Sequence, residues 1–296
     1  MIGSRATTGA LLALITAGLW GVTGAMAGGV FDVVPPAYVA QVRAIVTVIV
    51  LLPYAVLRGT FRVPAQLWKF MILGANLALV NVSFYWALDL LGVGPGATIQ
   101  FLGPILVLIW MKVARGHAVG PIVWVAAVGA VMGVALVTEA WSLDASDLVG
   151  VGAGLVSAVT FATYLLYGEY LGASYKPLQI AVWGFLFASL LWIVALPPWT
   201  FPANVSGSAW RDLLIIGVFG TALPFIIEFQ ALRMVASGVV GVVATAEPAI
   251  AAVTAAVLLG QQLGGVQWAG VAVVVIAVAT VQRFGLQDVH SPAPIA

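Results

Sequence analysis

Apolar residues run along this chain in ten long blocks separated by short polar or glycine-rich intervals. A helix that crosses a bilayer needs about 20 mostly apolar residues. The blocks that meet this need lie approximately at Thr8–Gly28, Pro36–Leu57, Trp68–Leu88, Pro95–Met111, Pro121–Val137, Leu148–Tyr167, Leu178–Leu196, Trp210–Phe229, Ser237–Leu259 and Gly265–Val281. The linkers leave no room for a soluble domain, and the polar tail after Arg283 is expected to be disordered. The pattern predicts an all-α integral membrane protein with ten transmembrane helices.

The second five blocks copy the first five. A shift of 144 positions places Thr16 on Thr160, Gly24 on Gly168, Ala87-Leu88 on Ala231-Leu232 and Gly94 on Gly238. The same shift places Pro104 on Pro248 and Gly116, Gly120 and Trp124 on Gly260, Gly264 and Trp268. Small apolar residues coincide easily in such a chain, so Pro104/Pro248 and Trp124/Trp268 carry most of the weight. An odd number of crossings per copy inserts the second copy from the opposite side. Inverted repeats of this kind build secondary transporters, with the substrate site between the halves. The expected division is a five-helix repeat over 1–140, a second over 145–285 and a cytoplasmic tail over 286–296. Arg5, the run Ala10–Leu19 and Ala25-Met26-Ala27 imitate a cleavable signal peptide. Cleavage is not expected, because the segment has a partner in the second copy.

Charge fixes the expected orientation. With the N-terminus in the cytoplasm, Arg5, Arg58, Arg62, Lys69, Lys112, Arg115, Lys176, Arg233 and Arg283 all lie inside and only Arg211 outside. Such an excess of basic residues marks the cytoplasmic side. Asp32, Asp89, Glu139, Asp144, Asp147 and Asp212 then collect outside. Equivalent loops trade charge as inversion requires: Asp89 aligns with Arg233, and Arg62 and Lys69 align with Ser206 and Leu213. Both termini are expected to be cytoplasmic in a multi-pass protein of the cell inner membrane.

Composition narrows the function. The chain is 63% hydrophobic and 7% charged, against roughly 25% charged in soluble domains. A net charge of +1 offers no basic face to nucleic acid. Cysteine is absent, which excludes disulfides, thiol catalysis and cysteine-ligated metal. His117 and His290 fall in a loop and in the tail. No embedded Ser–His pair, paired-Asp motif or metal-ligand cluster is present, and Gly92–Gly96 follows no strand and is no phosphate loop. An enzyme is therefore not expected, nor any metal or cofactor. The aromatic residues suit interfacial belts and cavity walls equally.

Leu19-Trp20-Gly21 in the first block, Arg43 in the second, Ala87-Leu88 before a short loop, and Ala246-Glu247-Pro248-Ala249 followed by Leu258-Leu259-Gly260 have a familiar order and spacing. On these residues the chain resembles the drug/metabolite transporter superfamily, specifically its ten-helix EamA type, over essentially its whole length. Two departures stand out. Gln261 occupies the place where the family usually has Glu, and Gly103-Pro104 in the first repeat lacks the Glu before its Pro. The resemblance implies export of amino acids, other metabolites or cationic drugs, and among members the aromatic amino-acid exporters look most similar.

Candidate site residues follow from polar groups placed where they are costly. A charge near the bilayer centre costs roughly 2.5–3.5 kcal/mol on insertion scales, so Arg43 should face protein or water. It is a clamp for a substrate carboxylate, a donor to carbonyls freed by Pro or Gly, or a side chain that snorkels outward. Glu247 precedes Pro248, which frees the carbonyl of Ala244. It can bind a substrate ammonium, carry a coupling proton, pair with Arg43, or stabilise the broken helix. Glu228 is a further gate or proton carrier, or an interfacial group. Trp20 and Tyr164 are pseudo-equivalent and can flank one ligand, simply pack, or belong to an interfacial belt. Asn76, Asn81, Tyr85 and Gln100 must find partners in a cavity or between helices. Pro104, Pro224 and Pro248 are hinge candidates. Gly24-x-x-x-Gly28, Gly129-x-x-x-Gly133 and Gly150-x-x-x-Gly154 favour close packing within the fold over dimerisation.

The sequence thus predicts an alternating-access exporter of a small-molecule substrate, amino acids first, with aromatic or other apolar side chains, whose other partner is membrane lipid. Two rivals are a multidrug exporter of lipophilic cations and a non-transporting membrane scaffold. The first makes the acidic and aromatic groups the site and Arg43 structural. The second predicts no water-accessible polar cavity.

Overall fold

The computed structural model describes residues 4–31, 33–142, 148–259 and 262–285. Asp32, Asp144, Asp147, Gly260, Gln261, His290 and the tail 286–296 lie outside the described residues. The chain forms α1 (Ser4–Phe31), α2 (Pro36–Leu57), α3 (Leu67–Leu91), α4 (Val93–Gln100), α5 (Gly103–Val113), α6 (Pro121–Val137), α7 (Leu148–Gly172), α8 (Pro177–Ala195), α9 (Gly207–Gly217), α10 (Leu223–Leu232), α11 (Ser237–Ala244), α12 (Ala246–Leu259) and α13 (Gly265–Thr280). No strand occurs among the described residues. Nine helical spans there are long and apolar enough to cross a membrane, and the 17-residue α6 is the tenth crossing. The protein is an all-α membrane protein whose ten spans form two inverted five-helix repeats.

Three spans are interrupted, and in each a proline supplies the reason. Proline has no N–H and leaves the carbonyl four residues earlier without its helical partner. Pro104 frees the carbonyl of Gln100, and the fourth span breaks between α4 and α5 just beyond Gln100. Pro248 frees the carbonyl of Ala244, and the ninth span breaks at Thr245 between α11 and α12. The two breaks are pseudo-equivalent. Pro224 frees the carbonyl of Gly220, and the eighth span widens there into a π-turn over Val218–Ala222 between α9 and α10. The sequence reading drew all three spans as single stretches.

The packing repeats under exchange of the halves. α3 lies against α7, and α1 against α10; these are the same contact seen from the two repeats. α3 against α8 likewise corresponds to α2 against α9 and the π-turn. α1 against α12 corresponds to α4 and α5 against α7. Three contacts, α2 with α8, α5 with α11, and α6 with α13, map onto themselves and mark the pseudo-two-fold axis. The α6–α13 pair is closed by Gly133 and Gly270, where a Cβ on Gly270 would lie 2.8 Å from the carbonyl of Gly133. Gly150 and Gly154 receive Leu91 and Ile99 in the same way, whereas Gly129 faces open space. Trp68, Trp110, Trp141, Trp199, Trp210 and Trp268 are exposed near the ends of spans, where an indole suits the membrane–water interface.

Candidate functional site

A cavity of about 520 Å³ lies between the halves, within the range of small-molecule sites. α1 contributes Trp20, Thr23 and Gly24; α2 contributes Arg43; α3 contributes Asn81, Phe84 and Tyr85; α4 contributes Gln100. α7 adds Phe161 and Tyr164, the eighth span Gly220 and Phe225, and α12 Glu247 and Pro248. Thr138, Leu263 and Gln267 rim it, all at the end of the bundle where α1 finishes. The cavity therefore opens toward that end, called the mouth end below.

Trp20, Arg43, Asn81, Tyr85, Gln100, Tyr164 and Glu247 are brought together on the lining of this cavity. Asn76 is not among its lining residues. One turn or more from Asn81 along α3, its amide donates to Thr163 Oγ1 at 2.5 Å, between helices. This is the other way a membrane-embedded amide finds a partner. Glu228 sits behind the wall rather than on it. It is 1% exposed and accepts a hydrogen bond from the Tyr164 hydroxyl.

Arg43 is held by the π-turn. Its Nη2 donates to the freed Gly220 carbonyl at 2.8 Å and its Nε to Thr221 Oγ1 at 2.7 Å. Nη1 donates to the Tyr85 hydroxyl. Trp20 Nε1 donates to the same Gly220 carbonyl at 3.0 Å. An unsatisfied carbonyl within the bilayer costs several kcal/mol, and here two cavity residues remove that cost. Three of the five guanidinium N–H groups are used, and the remaining edge belongs to a side chain that lines the cavity.

Glu247 lines the same cavity. Gly21 brings α1 against its backbone: a Cβ there would lie 2.7 Å from the Glu247 carbonyl. Gly24 leaves room for the carboxylate, which a Cβ would approach only to 3.9 Å. The ion pairs among the described residues are Arg115–Glu169 and Arg211–Asp212. Arg43 and Glu247 thus line one space without an ion pair between them, and a guanidinium and a carboxyl kept apart in a cavity suit a ligand with an acidic and a basic end.

The remaining wall is aromatic or neutral. Trp20 and Tyr164 each meet Phe225, with centroids 5.4 and 5.7 Å away. Gln100 accepts from Ser157 at 2.5 Å, and the amide of Asn81 is held at one end by the Leu77 carbonyl at 2.7 Å. Sequence reasoning missed Thr23, Phe84, Thr138, Phe161, Thr221, Phe225 and Gln267. Only Phe225 had a readable signal, its place beside Pro224; the others look like any residue of an apolar span.

The EamA-like transporter family matches residues 7–139 and 148–282, one match in each half. The chain belongs to that family. EamA proteins are transport proteins, not enzymes. Similar curated proteins include the threonine/homoserine exporter RhtA of Salmonella typhimurium, 29% identical over 66% of this chain and 64% of its own length. The RhtA of Escherichia coli strain K12 is 27% identical over 69% of this chain and 67% of its own. The chain thus spans about two thirds of the length of these exporters. An uncharacterised inner membrane transporter of Salmonella typhimurium, YicL, is 23% identical over 91% of this chain and 93% of its own length. A protein solved by crystallography shares the fold, with a TM-score of 0.77 at 18% identity over 93% of this chain and 96% of that one.

Proposed function

We propose that this EamA protein exports amino acids across the inner membrane by alternating access. One observation carries the reading: Arg43 and Glu247 line a single cavity together with aromatic side chains and form no ion pair with each other. The free edge of Arg43 takes the substrate carboxylate, and Glu247 takes the ammonium. Trp20, Tyr164, Phe84, Phe161 and Phe225 receive an aromatic or apolar side chain, and Asn81, Tyr85 and Gln100 supply neutral polar contacts. The cavity exceeds what threonine or homoserine needs, which supports a larger side chain. Export accords with the activity in the names of the RhtA relatives.

In this cycle each half, 1–140 and 145–285, acts as one five-helix repeat, and Pro104, Pro224 and Pro248 are its hinges. The basic residues define the cytoplasmic end, with both termini there, so the mouth faces outside. Glu247, with Glu228 behind it, is the candidate coupling carboxyl. A second reading has support in the three protein bonds on Arg43: if the guanidinium is wholly structural, Glu247 and the aromatics form a site for lipophilic cations.

Purified protein in liposomes, tested for flux of labelled phenylalanine, threonine and a quaternary amine, separates these readings. Phenylalanine flux exceeding both others is expected. Flux of the amine alone overturns the amino-acid reading, and flux of none removes transport of these classes. Cysteines at Trp141 and Arg58, in a chain with none of its own, test orientation: an impermeant thiol reagent should reach the first only from outside and the second only from inside.

A further inference from the structure

The end of the bundle opposite the mouth is closed by packing and by charge. Glycines let the helices meet there. A Cβ on Gly168 would lie 2.9 Å from side-chain atoms of Phe229 and Leu232, and one on Gly238 would lie 2.8 Å from Leu108. Beyond this apolar layer, Arg115 Nη1 meets Glu169 Oε1 at 2.9 Å, with the two side chains 16% and 7% exposed. The other carboxylate oxygen accepts the Ser237 backbone N–H at 3.1 Å and so caps the first turn of α11. A carboxylate is favoured at a helix N-terminus, where backbone N–H groups lack partners. Arg233 Nε donates to the Gly172 carbonyl at the end of α7 at 3.0 Å, and Arg5 donates to the Arg233 carbonyl at 3.0 Å. One carboxylate thus ties the segment after α5 to α7 and to α11, and so joins the first half to the second beneath the cavity.

The inverted copy has no equivalent. Shifted by 144 positions, Glu169 falls on Ala25, Arg115 on Leu259 and Ser237 on Val93. Arg233 and Gly172 fall on Asp89 and Gly28. A carboxylate at position 89 is an acceptor only and cannot donate to a carbonyl. Closing the mouth by the pseudo-symmetric movement therefore forms none of these bonds.

We propose that the Arg115–Glu169–Ser237 cluster is the inner gate of the transport cycle, a one-sided polar latch that makes the mouth-open state the resting state. The proposal rests on the transport reading for its purpose and on the contacts above for its existence. An equilibrium between two states moves only through contacts made in one of them. The latch is such a contact, and the opposite closure has nothing to set against it.

The chain's lack of cysteine makes the test clean. Leu232→Cys places a probe under the latch, at a side chain 3% exposed that packs on Gly168. Asn81→Cys places one in the cavity. Leu73→Cys, fully buried against Gly184, controls for unfolding. Glu169→Gln keeps an acceptor for the Ser237 N–H but removes the charge. It should raise the rate at which an impermeant thiol reagent labels Leu232→Cys from the latch end by about tenfold, and slow labelling of Asn81→Cys from the mouth end, with Leu73→Cys unlabelled. Arg115→Gln lies outside the helices and should act in the same direction if Glu169→Gln does not fold. Unchanged rates at both probes in the folded variants overturn the gate. An accessibility shift in a protein that carries no tested amino acid upholds the gate and removes the substrate reading. Amino-acid flux with no shift does the reverse.

Discussion

The two ends of the bundle hold their charges in opposite ways. Toward the mouth, Arg43 and Glu247 share a cavity and do not touch; the arginine is occupied by a carbonyl, a hydroxyl and a phenol instead. At the other end, Arg115 and Glu169 are in direct contact, over a layer in which glycines receive the side chains of neighbouring helices. A paired charge is a fastener, because separating it exposes both members. A charge held away from its counterpart by other partners keeps part of its hydrogen-bonding capacity for a ligand. The same residue types thus do different work according to what fills the space between them.

The largest expected effect comes from removing the charge at the mouth. Arg43→Ala should abolish transport, with a fall of more than about tenfold, and lower stability by roughly 2–4 kcal/mol, since hydrogen bonds to charged groups contribute about 1.5–3 kcal/mol each. Part of that loss is moderated because Trp20 still holds the Gly220 carbonyl. Arg43→Lys should rescue only partly: an ammonium is a point charge and cannot serve three acceptors fixed around a planar fork. Flux and thermal unfolding in detergent measure the two effects. Normal transport by folded Arg43→Ala would mean that the separated charges are not the site.

Glu247→Gln tests the other side of the cavity. Glutamine keeps the size and most of the hydrogen bonding but cannot ionise. In the proton-coupled form of the proposal, the variant folds and exchanges substrate but loses accumulation driven by a pH gradient. Loss of exchange as well would mean that the ionised carboxylate is needed to hold the substrate ammonium or the broken helix, and would leave no separate role for Glu247 in coupling. Full pH-driven accumulation would remove it from coupling and make Glu228, behind Tyr164, the carboxyl to replace next.

These expectations also show where the sequence was readable. Span lengths came from hydrophobic blocks, because bilayer thickness acts locally; the repeat came from pairs such as Pro104/Pro248 and Trp124/Trp268, and the family resemblance from motifs such as Leu19-Trp20-Gly21 and Ala246-Glu247-Pro248-Ala249. The polar anchors of the cavity were reachable too, since Arg43 and Glu247 are costly anywhere else in a membrane, whereas most of its apolar lining was not. What stayed hidden depends on register between distant spans. Nothing in Gly220 or Thr221 announces that Arg43 reaches them across 177 and 178 positions. Glu169 and Arg115 read as ordinary residues at the ends of spans until the fold puts them in contact. Asn76 and Asn81 looked alike in sequence, and only the rotation of α3 against α7 separates them.

A smaller effect should distinguish two glycines on one turn of α1. Gly21→Ala would press a methyl against the Glu247 carbonyl and the Ala251 N–H, at 2.7 and 3.1 Å. Backbone atoms cannot step aside, so α12 must move and carry Glu247 with it, at a cost of about 1–3 kcal/mol. Gly24→Ala meets nothing closer than 3.9 Å and should change stability by less than about 0.5 kcal/mol. A weaker apparent substrate affinity in the first variant and not the second would tie the α1–α12 contact to the position of Glu247. Equal behaviour would mean that α12 is not seated by Gly21.

The smallest effect is expected at Asn76. Replacing it with Ala removes its hydrogen bond to Thr163, but the Thr163 hydroxyl still donates to the Thr160 carbonyl at 3.0 Å. The substitution also removes Asn76 Oδ1, a buried acceptor with no partner among the described residues. Burying an unpartnered polar atom costs about 1–3 kcal/mol, so its removal offsets the lost bond. Stability should therefore change by less than about 0.5 kcal/mol. Because Asn76 is not on the cavity wall, substrate KM should not change, whereas Asn81→Ala, one turn and a residue nearer the mouth on the same helix, should raise it. If Asn76→Ala raises KM as much as Asn81→Ala does, the substrate path runs down between α3 and α7, and the boundary drawn here between the open and the latched end lies too close to the mouth.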